Sequence, residues 1–428
     1  MKWSMFTYHI KTKDGYIIYN FLNKGVIFIN NKEYENILSN DKNNKNVKKL
    51  INQEFLIDNN INEKEMFMKS LMDEWENSNF LSLHILATTG CNFKCPYCYQ
   101  NGIDSYNLNE DNLEKELLFL DDYISKNNIS TCRVEITGGE ATINWKIVEK
   151  TLIGLKRLFR KHKVKFQTMI VTNGYLFTSE KVDFIKKYNW VRLQVTIDGV
   201  GKVNNDRRLL KNNGNSFDKI IENLDYIIFN NKIKHVNLRI NYDNSNILEV
   251  PKLLDYLKNR YGTEKLIISL GLITRTIDGA EVNEFVFKNG INENEFVSKY
   301  ISLYKELKKR GFKTNDIFAF DGMCTSKLKH GFLFEPNGRI VKCVSGVGRD
   351  EFVIGNYLEN RISDETYLYK DLYEECLNKE CQFLPICHTG CRFESYINNK
   401  DKKKFNCKRK LLEEINTELI KINYMDGE

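Results

Sequence analysis

Three cysteines within eight residues restrict this chain more than any other stretch. Cys91, Cys95 and Cys98 follow one another at a Cys-x3-Cys-x2-Cys spacing. That is too tight for ordinary disulfides and one thiol short of a closed four-cysteine zinc site. Three thiolates on one short loop suit three irons of a 4Fe–4S cube and leave the fourth iron free for something else. Residues 81–88, just ahead, read as a buried strand, so the cysteines sit on the loop after a strand, where α/β barrels place their chemistry. A zinc knuckle with a distant fourth ligand is the plainer alternative.

The 428 residues suffice for two or three domains, and 42% hydrophobic with 28% charged residues describes an ordinary soluble globular protein. No apolar run approaches the ~20 residues of a membrane span, and the first residues lack a signal-peptide core, so the expected location is cytoplasmic with no membrane partner. The net charge is +7, but lysines are scattered among acids, which reads as a solvated surface and predicts no nucleic-acid partner. Eleven cysteines in such a chain argue for metal, and seven of them lie beyond residue 320.

Residues 1–80 read as a small module of strands (6–10, 16–20, 26–29) followed by helices, with an Asn/Lys-rich loop at 40–46. Its order vaguely resembles the leader-binding modules found beside peptide-modifying enzymes; a plain cap over the barrel is the alternative. From residue 81 strand patterns at 81–88, 133–137, 166–172, 190–197, 236–242 and 266–272 alternate with helical ones, the last at 295–309. Six βα units predict an α/β fold: a parallel sheet curled by right-handed crossovers into a partial barrel spanning 81–310. Residues 311–428 break the alternation, contain few long apolar runs, and need clusters to hold them together.

The cysteine loop resembles the signature of the radical S-adenosylmethionine (SAM) superfamily, in which an aromatic residue, here Tyr97, precedes the third cysteine. The resemblance implies a (β/α)6 TIM-like partial barrel. It also implies SAM bound on the open iron and split reductively into methionine and a 5′-deoxyadenosyl radical. Gly138-Gly139-Glu140, at the end of the second strand, resembles the family motif that binds the SAM amino group; its two glycines would let the backbone approach a ligand closely. Thr172-Asn173-Gly174 looks like the segment beside the SAM site. Gln194, Thr196 and Asp198 alternate onto one face of the fourth strand, where relatives contact the methionyl and ribose groups. Asn204 stands where relatives carry a His, while Arg208 retains the terminal Arg of that segment. Arg239, in an Arg-x-Asn on the fifth strand, would answer the SAM carboxylate. Plain turns at the glycines and internal salt bridges at the arginines stay open on the residues alone.

The C-terminal cysteines run Cys324-x13-Gly338-x4-Cys343, then Cys376-x4-Cys381-x5-Cys387-x3-Cys391, then Cys407. This order resembles the SPASM extension, which implies two auxiliary clusters and three 4Fe–4S clusters in all. By the family pattern Cys324, Cys343 and Cys391 hold the first and Cys376, Cys381, Cys387 and Cys407 the second; Cys376 departs from the usual Cys-x2-Cys. The first set has only three thiolates, so either His330 ligates or the site is open, and the open site is the favoured expectation. Zinc is the competing reading for the whole segment. Cys132 reads as a small core residue.

The resemblance implies a precursor-peptide substrate, a flavodoxin or ferredoxin electron donor, and peptide maturation through a thioether or other crosslink. Two alternatives stand beside it. One is a sulfatase-maturase-like enzyme making formylglycine, disfavoured because Val344 occupies the position of the catalytic Asp there. The other is a non-catalytic iron–sulfur or zinc protein.

Overall fold

The computed structural model describes the chain apart from residues 39–44, 189, 231–232, 234–235, 276–282, 315–322 and 426–428. Most of the Asn/Lys-rich loop therefore lies outside the described residues. The chain forms two compact units instead of three consecutive segments: Met1–Asn77, Phe318–Cys324 and Leu368–Glu428 make one, Ser78–Ile317 and Thr325–Tyr367 the other.

The first unit, built from both ends of the chain, opens with β1 (Lys2–Trp3), β2 (Thr7–Lys11), β3 (Gly15–Asn20), β4 (Val26–Asn30) and β5 (Leu56–Ile57). β2, β3 and β4 form an antiparallel meander, and β1 pairs with β5. The C-terminal segment contributes the helices Lys370–Asn378, Leu384–Cys387, Arg392–Asn399 and Arg409–Tyr424. Its few apolar residues do not form a core alone. Leu368, Tyr373, Leu377, Phe383, Leu384, Leu412 and Ile420 share one core with Phe6, Ile10, Ile17, Tyr19, Phe21 and Leu71 from the N-terminal module. Phe383 is the joint, its ring 5.3 Å from Tyr8 and 4.9 Å from Phe21. Burying each such side chain contributes about 1.5–3 kcal/mol. The N-terminal strands thus supply apolar partners that the cysteine-rich segment lacks on its own.

The second unit is organised by β6 (Phe80–Thr88), β7 (Thr131–Gly138), β8 (Lys165–Thr172), β9 (Val191–Thr196), β10 (Val236–Tyr242) and β11 (Leu266–Leu272). These six strands pair in sequence order and all in parallel. The short β12 (Lys313–Thr314) extends the sheet beyond β11. Beside β6 the sheet continues through β13 (His330–Phe334), β14 (Arg339–Val341), β15 (Val353–Asn356) and β16 (Arg361–Ile362), β13 running parallel to β6. Residues 325–367 therefore belong to the barrel sheet, which the break in alternation at 311 did not foretell.

Period-two alternation gives the sheet two unlike faces. Leu83 and Ile85, Val134 and Ile136, Leu193 and Val195, and Leu238 and Ile240 are buried in one core with the helices Glu110–Lys126, Trp145–Lys161, Phe217–Phe229 and Val250–Tyr261. The alternate positions carry Ser82 and His84, Arg133 and Glu135, Gln194 and Thr196, Asn237 and Arg239, and Ser269. A parallel sheet with both faces covered is ordinarily apolar on both sides. A polar second face marks a ligand-facing surface.

Candidate active site

The cysteine loop leaves β6 at Thr88 and is tied down at several points. Thr88 Oγ1 donates to Asn107 Oδ1 at 2.6 Å and accepts from the Gly90 amide at 2.9 Å. The Lys94 amide donates to the Leu209 carbonyl and the Lys211 amide to the Asn92 carbonyl, at 2.8 and 3.0 Å. Within the loop the Cys98 amide donates to the Cys95 carbonyl at 3.1 Å, and the Phe93 amide approaches Cys91 Sγ at 3.3 Å.

Gly138 and Gly139 serve this loop. The Gly139 amide donates to the Thr88 carbonyl at 3.0 Å and the Glu140 amide to the Gly90 carbonyl at 2.9 Å. A Cβ on Gly138 would lie 2.1 Å from the Thr88 oxygen, and one on Gly139 2.4 Å from the Gly90 oxygen. The close approach these glycines permit is therefore to the cysteine loop's own backbone. The Glu140 carboxylate is buried and accepts from the Thr142 amide and hydroxyl (3.0 and 2.5 Å), the Thr172 hydroxyl (2.7 Å) and the Asn173 amide (2.5 Å). It knits the ends of β7 and β8 together. Asn173 Nδ2 in turn donates to Asn92 Oδ1 at 2.8 Å, reaching the residue after Cys91.

Tyr97, Asp198 and Arg208 form a buried cluster. The Tyr97 hydroxyl donates to Asp198 Oδ2, while Asp198 Oδ1 accepts from the Asn241 amide at 2.9 Å. Arg208 Nη1 donates to the Tyr97 oxygen at 2.9 Å, and its guanidinium lies 5.4 Å from the centre of the Phe93 ring. Asp198 is fully buried with both carboxylate oxygens engaged, so it braces the cysteine loop, and the internal partners of Arg208 give it the same part. Neighbouring Arg207 donates from Nη1 to both carboxylate oxygens of buried Asp243, at 2.9 Å each. Asn204, in the place of the relatives' His, accepts from the Asp198 amide at 3.0 Å.

Gln194 and Arg239 lie on the polar sheet face. Asn237 Nδ2 donates to Gln194 Oε1 at 3.1 Å and Ser269 Oγ to Asn237 Oδ1 at 2.9 Å, a ladder across β9, β10 and β11. Arg239 Nε donates to Asn241 Oδ1 at 3.0 Å. Thr196 stands at the end of β9, in register with Arg239. Deeper on the same face His84 Nδ1 lies 3.3 Å from Glu135 Oε2 and His84 Nε2 3.4 Å from the Thr325 hydroxyl. The His84 pairing opposes the cost of burying Glu135 and leaves its carboxyl below the ordinary range. His84, Glu135, Asn237 and Ser269 were not singled out from the sequence, although the alternating polar positions of β6, β7 and β10 carry the signal.

In the other unit Cys376, Cys381, Cys387 and Cys407 line one cavity with Thr389 and Asn406. Cys324 and Cys391 belong to this unit and Cys343 to the barrel unit. His330 has both ring nitrogens engaged within the barrel unit: Nε2 donates to the Ser78 carbonyl at 3.0 Å, which leaves Nδ1 to accept from the Tyr123 hydroxyl at 2.7 Å. Of the two expectations for His330, ligation is the one this geometry opposes. Cys132 packs in the barrel core.

Both cysteine groups suit iron–sulfur clusters. Burial pushes the Cys95 thiol up to about 12 against the pull of Arg208, and burial with the fields of Cys381, Cys387 and Cys407 pushes Cys376 equally high. Such crowded, buried thiols become thiolates only beside compensating positive charge, which iron supplies. Each group also has an amide donor with no partner among the described residues: Asn92 Nδ2 beside Cys91 and Asn406 Nδ2 beside Cys407. Cluster sulfurs are acceptors for such donors.

Among the described residues no helix is long and apolar enough to cross a membrane. Residues 85–257 match the Radical SAM superfamily. The radical SAM cyclopropyl synthase TigE of Paramaledivibacter caminithermalis is 25% identical over 387 residues, covering 82% of this chain and 76% of that protein. A cysteine-type anaerobic sulfatase-maturating enzyme of Clostridium novyi is 22% identical over 336 residues, 72% of this chain and 86% of its own. The crystal structure of Streptococcus suis SuiB bound to precursor peptide SuiA shares the fold at a TM-score of 0.53 and 18% identity, covering 95% of this chain and 98% of SuiB. The three-cysteine loop, clamped at the C-terminal end of a parallel barrel sheet, thus lies within a radical SAM domain that this chain carries.

Proposed function

We propose that the enzyme is a peptide maturase with three 4Fe–4S clusters, catalysing the two-electron oxidation of a ribosomally made precursor peptide. The observation that carries this reading is the pairing of a clamped three-thiol loop above a polar sheet face with a separate four-thiol cavity. A cluster on Cys91, Cys95 and Cys98, reduced by a flavodoxin or ferredoxin, would supply a 5′-deoxyadenosyl radical from SAM. Glu140, Asn173, Gln194, Thr196 and Arg239 are the residues proposed to hold SAM, with Tyr97, Asp198 and Arg208 fixing the loop that presents it. The peptide loses one hydrogen atom to the radical, then one electron to an auxiliary cluster and one proton to the protein. His84, oriented by Glu135, is the proton acceptor on the polar face.

The bond formed is proposed to be a thioether. Cyclopropane formation, the reaction named for TigE, obeys the same hydrogen count, and so does the first oxidation of a sulfatase cysteine. Val344 removes the carboxylate that the sulfatase route uses. The N-terminal module, with its three-stranded sheet, is proposed to hold the peptide leader.

The test is anaerobic reconstitution followed by iron and sulfide analysis and a SAM-cleavage assay. About twelve irons per chain and dithionite-dependent 5′-deoxyadenosine are expected. Co-expression with cysteine-containing precursor peptides should then yield peptide lighter by two hydrogens. Loss of sulfur from a cysteine would establish the sulfatase-type reaction instead. Zinc without SAM cleavage would end the catalytic reading.

A further inference from the structure

The backbone between Cys387 and Cys391 is unusual. His388, Thr389 and Gly390 are consecutive left-handed residues, with φ of 48°, 67° and 81°. Only glycine adopts this region freely, and a β-branched residue resists it most. The surroundings enforce it. Buried Arg392 donates through Nη2 to the Thr389 carbonyl and through Nη1 to the Lys402 and Lys404 carbonyls at 3.2 and 3.4 Å. Gly390 is pressed so close to the next cysteine segment that a Cβ there would lie 2.3 Å from the Asn406 oxygen. Strain of this kind persists where a side chain must be held in one place.

Two donors are held by it. Thr389, 2% exposed, lines the four-cysteine cavity, and neither its hydroxyl nor its amide meets a partner among the described residues. Asn406 lines the same cavity, and its buried Nδ2 has no acceptor among the described residues. Cysteine side chains alone do not account for two unspent donors facing the same space.

Resting on the reading of Cys376, Cys381, Cys387 and Cys407 as a cluster-ligand set, we propose that Thr389 and Asn406 donate hydrogen bonds to sulfur atoms of that cluster. They thereby raise its reduction potential and make it the electron sink of the enzyme. One electron enters, the net charge of the cluster becomes more negative by one, and no proton or covalent bond changes hands. Donors to sulfur stabilise the more negative state. Both residues are positioning residues, acting on the cluster and not on the peptide.

The experiment uses the full chain with Cys91, Cys95 and Cys98 replaced by Ala, so that only the auxiliary clusters respond, in a dithionite titration followed by EPR. Thr389→Val keeps the branched shape and the backbone strain but removes the hydroxyl; Asn406→Leu keeps the volume but removes the amide. Each is expected to retain the iron content and lower the midpoint of one signal, the double variant lowering it further, while Thr389→Ser stays at the parental value. Parental midpoints in both single variants, with iron retained, overturn the proposal. Should either variant lose the cluster, proton ENDOR of the parental chain before and after exchange into D2O decides: exchangeable protons strongly coupled to this cluster support it, and their absence overturns it. If Cys376→Ala and Cys407→Ala leave the iron content unchanged, the ligand set itself is wrong and the proposal falls with it.

Discussion

Gly139 shows how a short motif can be recognised without its local geometry being known. The sequence marks Gly138-Gly139-Glu140 as a ligand-facing turn, but the partner within 3 Å is the backbone between Thr88 and Gly90. No spacing rule reveals that partner, because the contact joins segments nearly fifty residues apart. The same holds for Tyr97, Asp198 and Arg208, legible one by one and met as a cluster only in three dimensions. Gly139→Ala must push the cysteine loop away, at a cost of about 1–3 kcal/mol as overpacking. The expected result is a sharp fall in iron bound at Cys91, Cys95 and Cys98 with near-normal iron at the C-terminal cysteines. Iron analysis alongside Cys376→Ala checks the assignment.

At the scale of elements the sequence reads well. The strands expected at 236–242 and 266–272 are Val236–Tyr242 and Leu266–Leu272, and the other four barrel strands differ by one or two residues at their ends. Strong period-two patterns bounded by helices leave little choice. Residues 325–367 were harder, since short strands such as Arg339–Val341 and Arg361–Ile362 carry too few residues for a period to show. The polar face of β6 and β7 yields a prediction: His84→Gln or Glu135→Gln should slow peptide product formation by about 10²–10⁴-fold, the usual worth of a positioned base. 5′-Deoxyadenosine release should remain, so the ratio of the two products measured by mass spectrometry should rise. The helix Glu110–Lys126 yields another. Glu116 sits in the barrel core with Oε1 unpaired among the described residues, and burial pushes its carboxyl up to about 8. The folded chain then holds a proton that the unfolded chain releases from about pH 4.5 upward, so stability falls as pH rises towards 8. Glu116→Gln should flatten that slope, read as a smaller difference in melting temperature between pH 5 and pH 8.

The whole molecule is where the sequence was least informative. Reading in order, a module at each end and a barrel between them is the natural division. The observed division joins the two ends, because Phe383, Leu384 and Tyr373 find in Phe6, Tyr19 and Phe21 the apolar surface their own segment lacks. Removing Met1–Asn77 should therefore cost the cluster at Cys376, Cys381, Cys387 and Cys407 and not merely peptide affinity; iron content of the truncated chain, against a full-length chain with a substituted β4, separates the two. The joined ends also impose a timetable on biosynthesis. The N-terminal strands leave the ribosome well before the segment that completes their core. At ~5–20 residues per second the interval is tens of seconds. During it the aromatic strands lack their apolar partner, and the four-cysteine cavity is incomplete until Cys407 and the helix Arg409–Tyr424 have cleared the exit tunnel. The cluster proposed for this site would therefore be loaded only after both segments of the shared core have been made.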